Sequence, residues 1–298
     1  MPGAAGAWAA ATRRLARAGA GAGGGGVPAE VRAEVAGQGA RLPRFWHEGG
    51  GGGGLAVGAQ AELAAAEAVH AGRTLRLKPG ARLELCDGRG GLQEAEVLEA
   101  ARGRVRVAAV TAARTEAWVG PRLEVVVAGG TLKGSRGDWL VEKCCELGAV
   151  ALQPLVTARS PSIGKDKGAS AGPSGREQRW RRVAQAAAKQ SLRAHGMAVE
   201  APISVGALAA RIAAAPLSLV AAAGGTGLAE ALRGVGDEAL RDGPPGLLVV
   251  GPEGDFTAEE LEVLAAAGSI FVGLGERRLR TETAAMSMLS TSMLLLGG

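Results

Sequence analysis

The stretch LLVVGPEGDFTAEELEVLAAAGSIFVGLGERRLRTETAAMSMLSTSMLLLGG, from Leu247 to Gly298, decides the fold. It holds two glycine-bearing turns in quick succession, each leading from a strand to a helix. The continuous apolar run Leu247–Val250 predicts a buried strand, Gly251-Pro252-Glu253-Gly254 turns, and Thr257-Ala258-Glu259-Glu260 is a capping-box pattern that opens a helix. A second strand-like run, Ile270–Val272, ends at Leu274-Gly275, and Glu276–Arg280 leads into Thr281-Glu282-Thr283-Ala284. Loops at the carboxyl ends of buried parallel strands are where open α/β sheets bind ligands, so two in succession imply one shared site.

Upstream of this stretch the pattern alternates between strand and helix from Arg122 onward. Leu123–Ala128 is β-rich, Asp138–Leu147 carries Leu140, Cys144 and Leu147 on one helix face with Gly148 at its stop, and Val150–Val156 reads as the next strand. A helix from about Glu177 to Arg193 is expected to bury Trp180, Val183, Ala187 and Leu192, with Lys189, Gln190 and Arg193 along one polar edge. Such alternation argues for a parallel sheet covered by helices on both faces. Between strand and helix lies TARSPSIGKDKGASAGPSG, Thr157–Gly175, rich in Ser, Gly and Pro and basic at Arg159, Lys165 and Lys167. It reads either as a disordered insertion or as a loop that orders on RNA.

Residues 74–110 have a different period. Thr74–Leu77, Arg82–Leu85 and Arg104–Val107 alternate apolar and polar side chains around turns at Lys78-Pro79-Gly80 and Asp87–Gly91, which predicts the antiparallel strands of a small barrel. Arg76, Arg82, Arg104 and Arg106 fall on polar faces, where a solvated surface and RNA contact are equally good readings. The glycine run Gly49–Gly54 reads as an expanded surface loop.

A formal net charge of +5 and a pI near 9.5 favour polyanionic partners without requiring them. Cys86, Cys144 and Cys145 are too few and wrongly spaced for a zinc site and fit free core thiols in a reducing compartment. No apolar run approaches the roughly 20 residues that cross a bilayer, so no membrane partner is expected. From Met1 to Gly26 there is no acidic residue, and Arg13, Arg14 and Arg17 stand in an Ala/Gly background, a composition typical of organellar transit peptides.

The pair GPEG and LGERRLRTETA, at this spacing, closely resembles the carboxy-terminal signature of SPOUT methyltransferases, and within them the RsmE family, which methylates N3 of a uridine in small-subunit ribosomal RNA. Further matches are Lys133-Gly134 with Glu142–Gly148, Arg159-Ser160, Trp180 through Gln190-Ser191-Leu192-Arg193, and Arg41–Trp46 near the amino end. The resemblance implies an α/β fold: a trefoil-knotted parallel sheet covered by helices, preceded by a small PUA-like β-barrel that helps to hold rRNA. It divides the chain into a 1–40 transit-peptide-like extension, a 41–120 barrel and a 121–298 methyltransferase domain. It also implies S-adenosyl-L-methionine as cofactor, 16S-type small-subunit rRNA or the assembled small ribosomal subunit as partner, and a homodimer through the knotted domain. With the amino-terminal segment, it points to a chloroplast or mitochondrion, and to the cytoplasm if that segment is not a transit peptide.

The implied chemistry sets the site residues. Uracil N3 keeps its proton at neutral pH, so the enzyme must stabilise the uracilate, accept the proton and align nitrogen, methyl carbon and sulfur. Arg193 and Arg280 are expected to stabilise substrate charge, with Glu253 or Glu282 as proton acceptor or orienter. Glu253 can instead pin its loop, and Glu282 can merely favour its helix terminus. The cofactor pocket is expected from Gly251, Pro252, Glu253, Gly254, Leu274, Gly275, Arg278, Leu279 and Thr283, and substrate contacts from Arg44, Arg159, Gln190 and Arg193. Asp255 stands where the family has a second glycine, and Arg278 where it has an apolar residue. Asp tolerates the left-handed region, and Arg278 either faces the core or points outward. A ribose 2′-O-methyltransferase of the same class and a non-catalytic ribosome-assembly factor are the alternatives.

Overall fold

The computed structural model describes residues 41–47, 54–101, 103–129, 134–160, 174–236 and 238–297. The expectations placed on the 1–40 extension, on Gly49–Gly53, on Lys133 and on Lys165 and Lys167 therefore lie outside the described residues.

Strands β1 (Arg44–Trp46), β2 (Gln60–Glu62), β3 (Arg82–Cys86), β4 (Gly91–Ala101), β5 (Arg104–Ala109) and β6 (Arg114–Thr115) form one sheet in the order β1-β3-β4-β5-β2, with β6 on β4. All its ladders are antiparallel except β1 with β3. Inward-facing Phe45, Leu83, Leu85, Val97, Val105 and Val107 fill its core, with Ala68 and Ala71 from the short helix α1 (Ala65–Val69) and the π-helical turn after it. The strand expected at Thr74–Leu77 does not form. That turn spans His70–Thr74, and the N–H groups of Leu75 and Leu77 bond the carbonyls of His70 and Ala71 at 3.0 Å. With its donors satisfied locally, the segment needs no partner strand. The barrel arginines form cross-strand ion pairs, Arg82 with Glu96 at 3.3 Å, Arg104 with Glu62 at 2.6 Å and Arg106 with Glu99 at 3.1 Å.

The second sheet is wholly parallel. Its strands are β7 (Leu123–Val127), β8 (Ala151–Val156), β9 (Ala198–Val199), β10 (Ile203–Ser204), β11 (Ser218–Gly227), β12 (Gly246–Val250) and β13 (Ile270–Gly273). The order is β10-β8-β7-β12-β11-β13, with β9 beside β8. Because side chains alternate along a strand, Val125, Val127, Leu248 and Val250 face one apolar layer and Val126, Leu247 and Val249 the other. The first layer is covered by α2 (Ser135–Glu146), α3 (Gly175–Gln190) and the last helix, α8 (Thr281–Leu295), with the short α5 (Leu228–Ala231) and α6 (Glu238–Arg241) at its margin. The second is covered by α4 (Val205–Ala214) and α7 (Ala258–Ala266).

Helix α8 leaves the β13 edge and returns to pack on β12, β7, α2 and α5, so the chain end lies in the middle of the sheet. Helix α3 starts at Gly175, where the Ser174 hydroxyl accepts the Glu177 N–H at 3.2 Å, and stops at Gln190, three residues earlier than its pattern suggested. It buries Trp180, Ala184, Ala187 and Ala188, while Leu192 sits beyond it at φ 57°. No helix among the described residues is long and apolar enough to cross a membrane.

Candidate active site

The site begins where β12 runs out at Val250. A Cβ on Gly251 would lie 2.9 Å from the Phe256 ring, so glycine lets that buried ring fold back against its own loop. Asp255 takes the left-handed φ of 65°, its N–H reaching the Pro252 carbonyl at 2.8 Å while its carboxylate accepts the Phe256 N–H at 2.8 Å. The short carboxylate thus supplies locally what a second glycine would supply by freedom alone. Helix α7 then opens with the expected capping box. The Thr257 hydroxyl accepts the Glu260 N–H at 3.3 Å, and the Glu260 carboxylate accepts the Thr257 N–H at 3.0 Å.

Two further segments meet this loop. After β13 the chain passes through Gly275 at φ 107°, and the exposed Arg278 donates to the Glu253 carbonyl. Thr281, first residue of α8, reaches the Gly251 carbonyl at 3.4 Å. In β11 both Ala221 and Thr226 pair with Val272, so Ala222–Gly225 loops out of the ladder. Gly225 makes that possible, since a Cβ there would lie 2.7 Å from the Phe271 backbone. The three segments enclose a cleft of about 470 Å³. Of the residues expected to hold the cofactor, Gly251, Pro252, Glu253, Leu274, Gly275, Arg278 and Leu279 line this cleft, with Ala221, Ala222 and Ala223, which the sequence reading missed. The run Ala221-Ala222-Ala223-Gly224-Gly225, small residues ending a strand, was the available signal.

Other expected residues lie elsewhere. Gly254 and Thr283 are not among the lining residues, and Glu282 sits in the first turn of α8, where a carboxylate favours the helix dipole. Arg280 is the exposed N-cap of α8, its guanidinium without a hydrogen-bonded or ionic partner among the described residues. Arg159, where a substrate contact was expected, is spent on its own protein. It donates to the Gly254 carbonyl and to that of Phe256 at 3.2 Å, bracing the loop from behind. Arg44 is a second correction: its side chain is 7% exposed and pairs with the buried Glu84 at 2.6 Å, so the barrel interior consumes its charge.

Arg193 lies away from the cleft of its own chain. It donates to the Cys145 carbonyl and, at 3.0 Å, to that of Ala149, with its guanidinium carbon 5.5 Å from the centre of the Trp118 ring. In the parallel ladders Leu247 pairs with Glu124 and Glu124 with Ala151, whereas Val250 pairs with Val127 and Val127 with Pro154. Ala149 precedes β8 at one end of the sheet, and Gly251 leaves β12 at the other. Within one chain, Arg193 and the cleft are therefore on opposite ends of the same strands. Nor do Lys189, exposed Gln190 and Arg193 share an edge, because the helix ends at Gln190 and Lys189 turns to Glu67. Arg193 lines its own pocket of about 300 Å³ with Trp118, His195, Glu146 and Met293. Burial pushes the His195 pKa down there, against the pull of Glu116 and with the help of Arg193.

Comparison with known proteins agrees with this architecture. Residues 120–293 match the family described as RNA methyltransferase domain, and residues 63–109 the RNA methyltransferase PUA domain. Over 237 residues the chain is 34% identical to ribosomal RNA small subunit methyltransferase E of Mycobacterium bovis, covering 76% of this chain and 84% of that protein. The chain belongs to this RNA methyltransferase family.

The Bacillus subtilis member is 30% identical over 75% of this chain and 86% of its own length. A solved small-subunit methyltransferase E of Neisseria gonorrhoeae, bound to S-adenosyl methionine, superimposes with a TM-score of 0.69 at 23% identity, covering 86% of this chain and 98% of that one. A structure from Porphyromonas gingivalis gives 0.66 at 29% identity, with 86% and 98% covered. The SPOUT α/β architecture with a PUA-like barrel before it is thus the fold of this family member.

Proposed function

We propose that this family member transfers a methyl group from S-adenosylmethionine to N3 of a uridine in small-subunit ribosomal RNA, as a homodimer, in an organelle. One observation carries the reading: three glycine-bearing loops at the carboxyl ends of β11, β12 and β13 converge on a single cleft. The residues present fit the cofactor. The cleft size suits a nucleoside-sized ligand, and its wall of Ala221–Ala223, Val250, Leu274 and Leu279 is small and apolar enough for a purine ring. When bound, the sulfonium supplies an activated methyl group.

The chain's own residues do the rest. In this reading exposed Arg280, beside the cleft at the start of α8, binds a uracil carbonyl oxygen as charge develops, and Glu253, in the cleft wall, accepts the N3 proton directly or through water. Because Arg193 stands at the opposite end of its own sheet, it serves the cleft of a second copy. The exposed side chains of Leu294 (74%), Leu295 (53%) and Val119 (80%), near the Arg193 pocket in sequence, support such a partner. The acid-free Arg-bearing stretch before Gly26 supports the organellar address.

The test is incubation of the purified full chain with S-adenosylmethionine and unmodified small ribosomal subunits, followed by reverse-transcription mapping and nucleoside mass spectrometry. N3-methyluridine at one stop site is the expected result. A 2′-O-methyl product, or cofactor binding without any product, rejects the assignment.

A further inference from the structure

The loop that leaves β12 is held both from within and from outside. Its internal contacts, Asp255 N–H to the Pro252 carbonyl and Phe256 N–H to the Asp255 carboxylate, each 2.8 Å, involve its downstream half. The carbonyls of Glu253 and Gly254, at the turn itself, are held from outside by two arginines. Arg159, just after β8, takes Gly254 and, at 3.2 Å, Phe256. Arg278, from the loop after β13, takes Glu253 alone. Glu253 and Arg278 both line the cleft, so their bond ties one wall to the other.

We propose that Arg278 is a positioning residue for the cofactor, a latch that joins the two cleft walls through the Glu253 carbonyl and lengthens the stay of S-adenosylmethionine. This rests on the cofactor reading given above. The chemistry fits a latch better than a fixed brace. A single charge-assisted bond between exposed groups exchanges readily with water, so it can release for entry and product exit, while the multiple bonds of Arg159 keep the turn in shape behind it. An apolar residue at 278 has no donor for the carbonyl. Lysine has one, on a more flexible stem, and is expected to restore part of the effect.

The test is isothermal titration of S-adenosylmethionine into the wild type, Arg278→Ile and Arg278→Lys proteins, with steady-state methylation of small ribosomal subunits alongside. Arg278→Ile is expected to weaken cofactor affinity about tenfold, equivalent to about 1.4 kcal/mol. Arg278→Lys should fall between. The loss should appear in KM for the cofactor more than in kcat, with an unchanged melting temperature because the side chain is exposed. Equal affinities for wild type and Arg278→Ile overturn the latch, as does a variant whose only defect is a raised KM for the ribosomal subunit, which would make Arg278 an RNA contact. Wild type that binds no S-adenosylmethionine overturns the cofactor reading itself, and that result is seen before any variant is compared.

Discussion

Glu67 in α1 and Lys189 in the last turn of α3, 122 positions apart, form an ion pair whose side chains are only 8% and 15% exposed. The same carboxylate accepts the Trp46 N–H at 3.2 Å, and the Trp46 ring lies against Gly88 and Gly196, where no Cβ would fit. The pair thus joins the barrel to the helix that leads to Arg193. Charges so shielded depend on each other, and removing one strands the other. Lys189→Met is expected to cost about 3 kcal/mol in urea unfolding. The double variant with Glu67→Gln should lose less than the sum of the single losses. Additive losses would show that the charges do not interact.

Asp255 at φ 65° gives a second, local test. Glycine there removes left-handed strain but also the bond to the Phe256 N–H, so Asp255→Gly should change stability by less than about 1 kcal/mol. Asp255→Val adds a β-branched side chain to a left-handed backbone and is expected to cost about 2 kcal/mol and to weaken cofactor affinity with it. Thermal melts and cofactor titration check both, and a Val variant as stable as wild type rejects the strained-turn account.

What could be read from the sequence follows the range of the forces involved. The Thr257 capping box, the apolar runs of β7 and β12 and the turn at Gly251–Gly254 are set by neighbours a few residues away, and their patterns showed them. The run of small residues Ala221–Gly225 is visible locally, but that Ala222–Gly225 leaves the ladder depends on β11 pairing with β13, more than forty residues on. The same holds for arginines. Whether Arg44 meets Glu84, Arg159 a loop carbonyl or Arg193 the end of α2 is decided by tertiary placement, and an arginine looks alike in sequence whether it is a brace or a substrate contact.

The thiols should be inert in the native state. Burial raises the pKa of Cys86 to about 12 and pushes Cys144 and Cys145 up as well, the last against the opposing pull of Arg193. Since the thiolate is the reactive form, iodoacetamide at pH 8 is expected to leave the folded protein unmodified and to label all 3 cysteines after denaturation. Rapid native labelling of Cys145 would mean that the Arg193 pocket opens in solution.

His195 should give the same pocket a pH dependence. It packs edge-on to Trp118 with ring centres 5.4 Å apart, and burial, opposed by Glu116 and reinforced by Arg193, lowers its pKa below the ordinary 6.5. The unfolded chain therefore takes up the proton first as pH falls. The His195 contribution to stability is full well above pH 6.5, declines as pH drops through that value, and stops declining below the folded pKa. An NMR titration, with His195→Asn to assign the signal, should place the midpoint below 6.5, and a midpoint at or above it contradicts this environment.

The strongest test of the site is whether Arg193 acts on a partner's cleft. Its carbonyl contacts lie before β8 and the cleft lies after β12, so no side-chain rotation brings them together within one chain. Arg193→Ala should abolish methylation. So should Gly251→Val, which drives a branched side chain into Phe256, where even a Cβ would lie 2.9 Å away. If the site forms between copies, a mixed dimer of the two variants has one cleft with intact loops facing one intact Arg193. Refolding the two together should then recover roughly a quarter of wild-type activity, half of the dimers being mixed and each holding one working site. If Arg193 served its own chain, every site in the mixture would carry a lesion and the activity would stay at zero. Recovery without measurable dimer by light scattering would contradict both arrangements, because only association lets one chain mend the other.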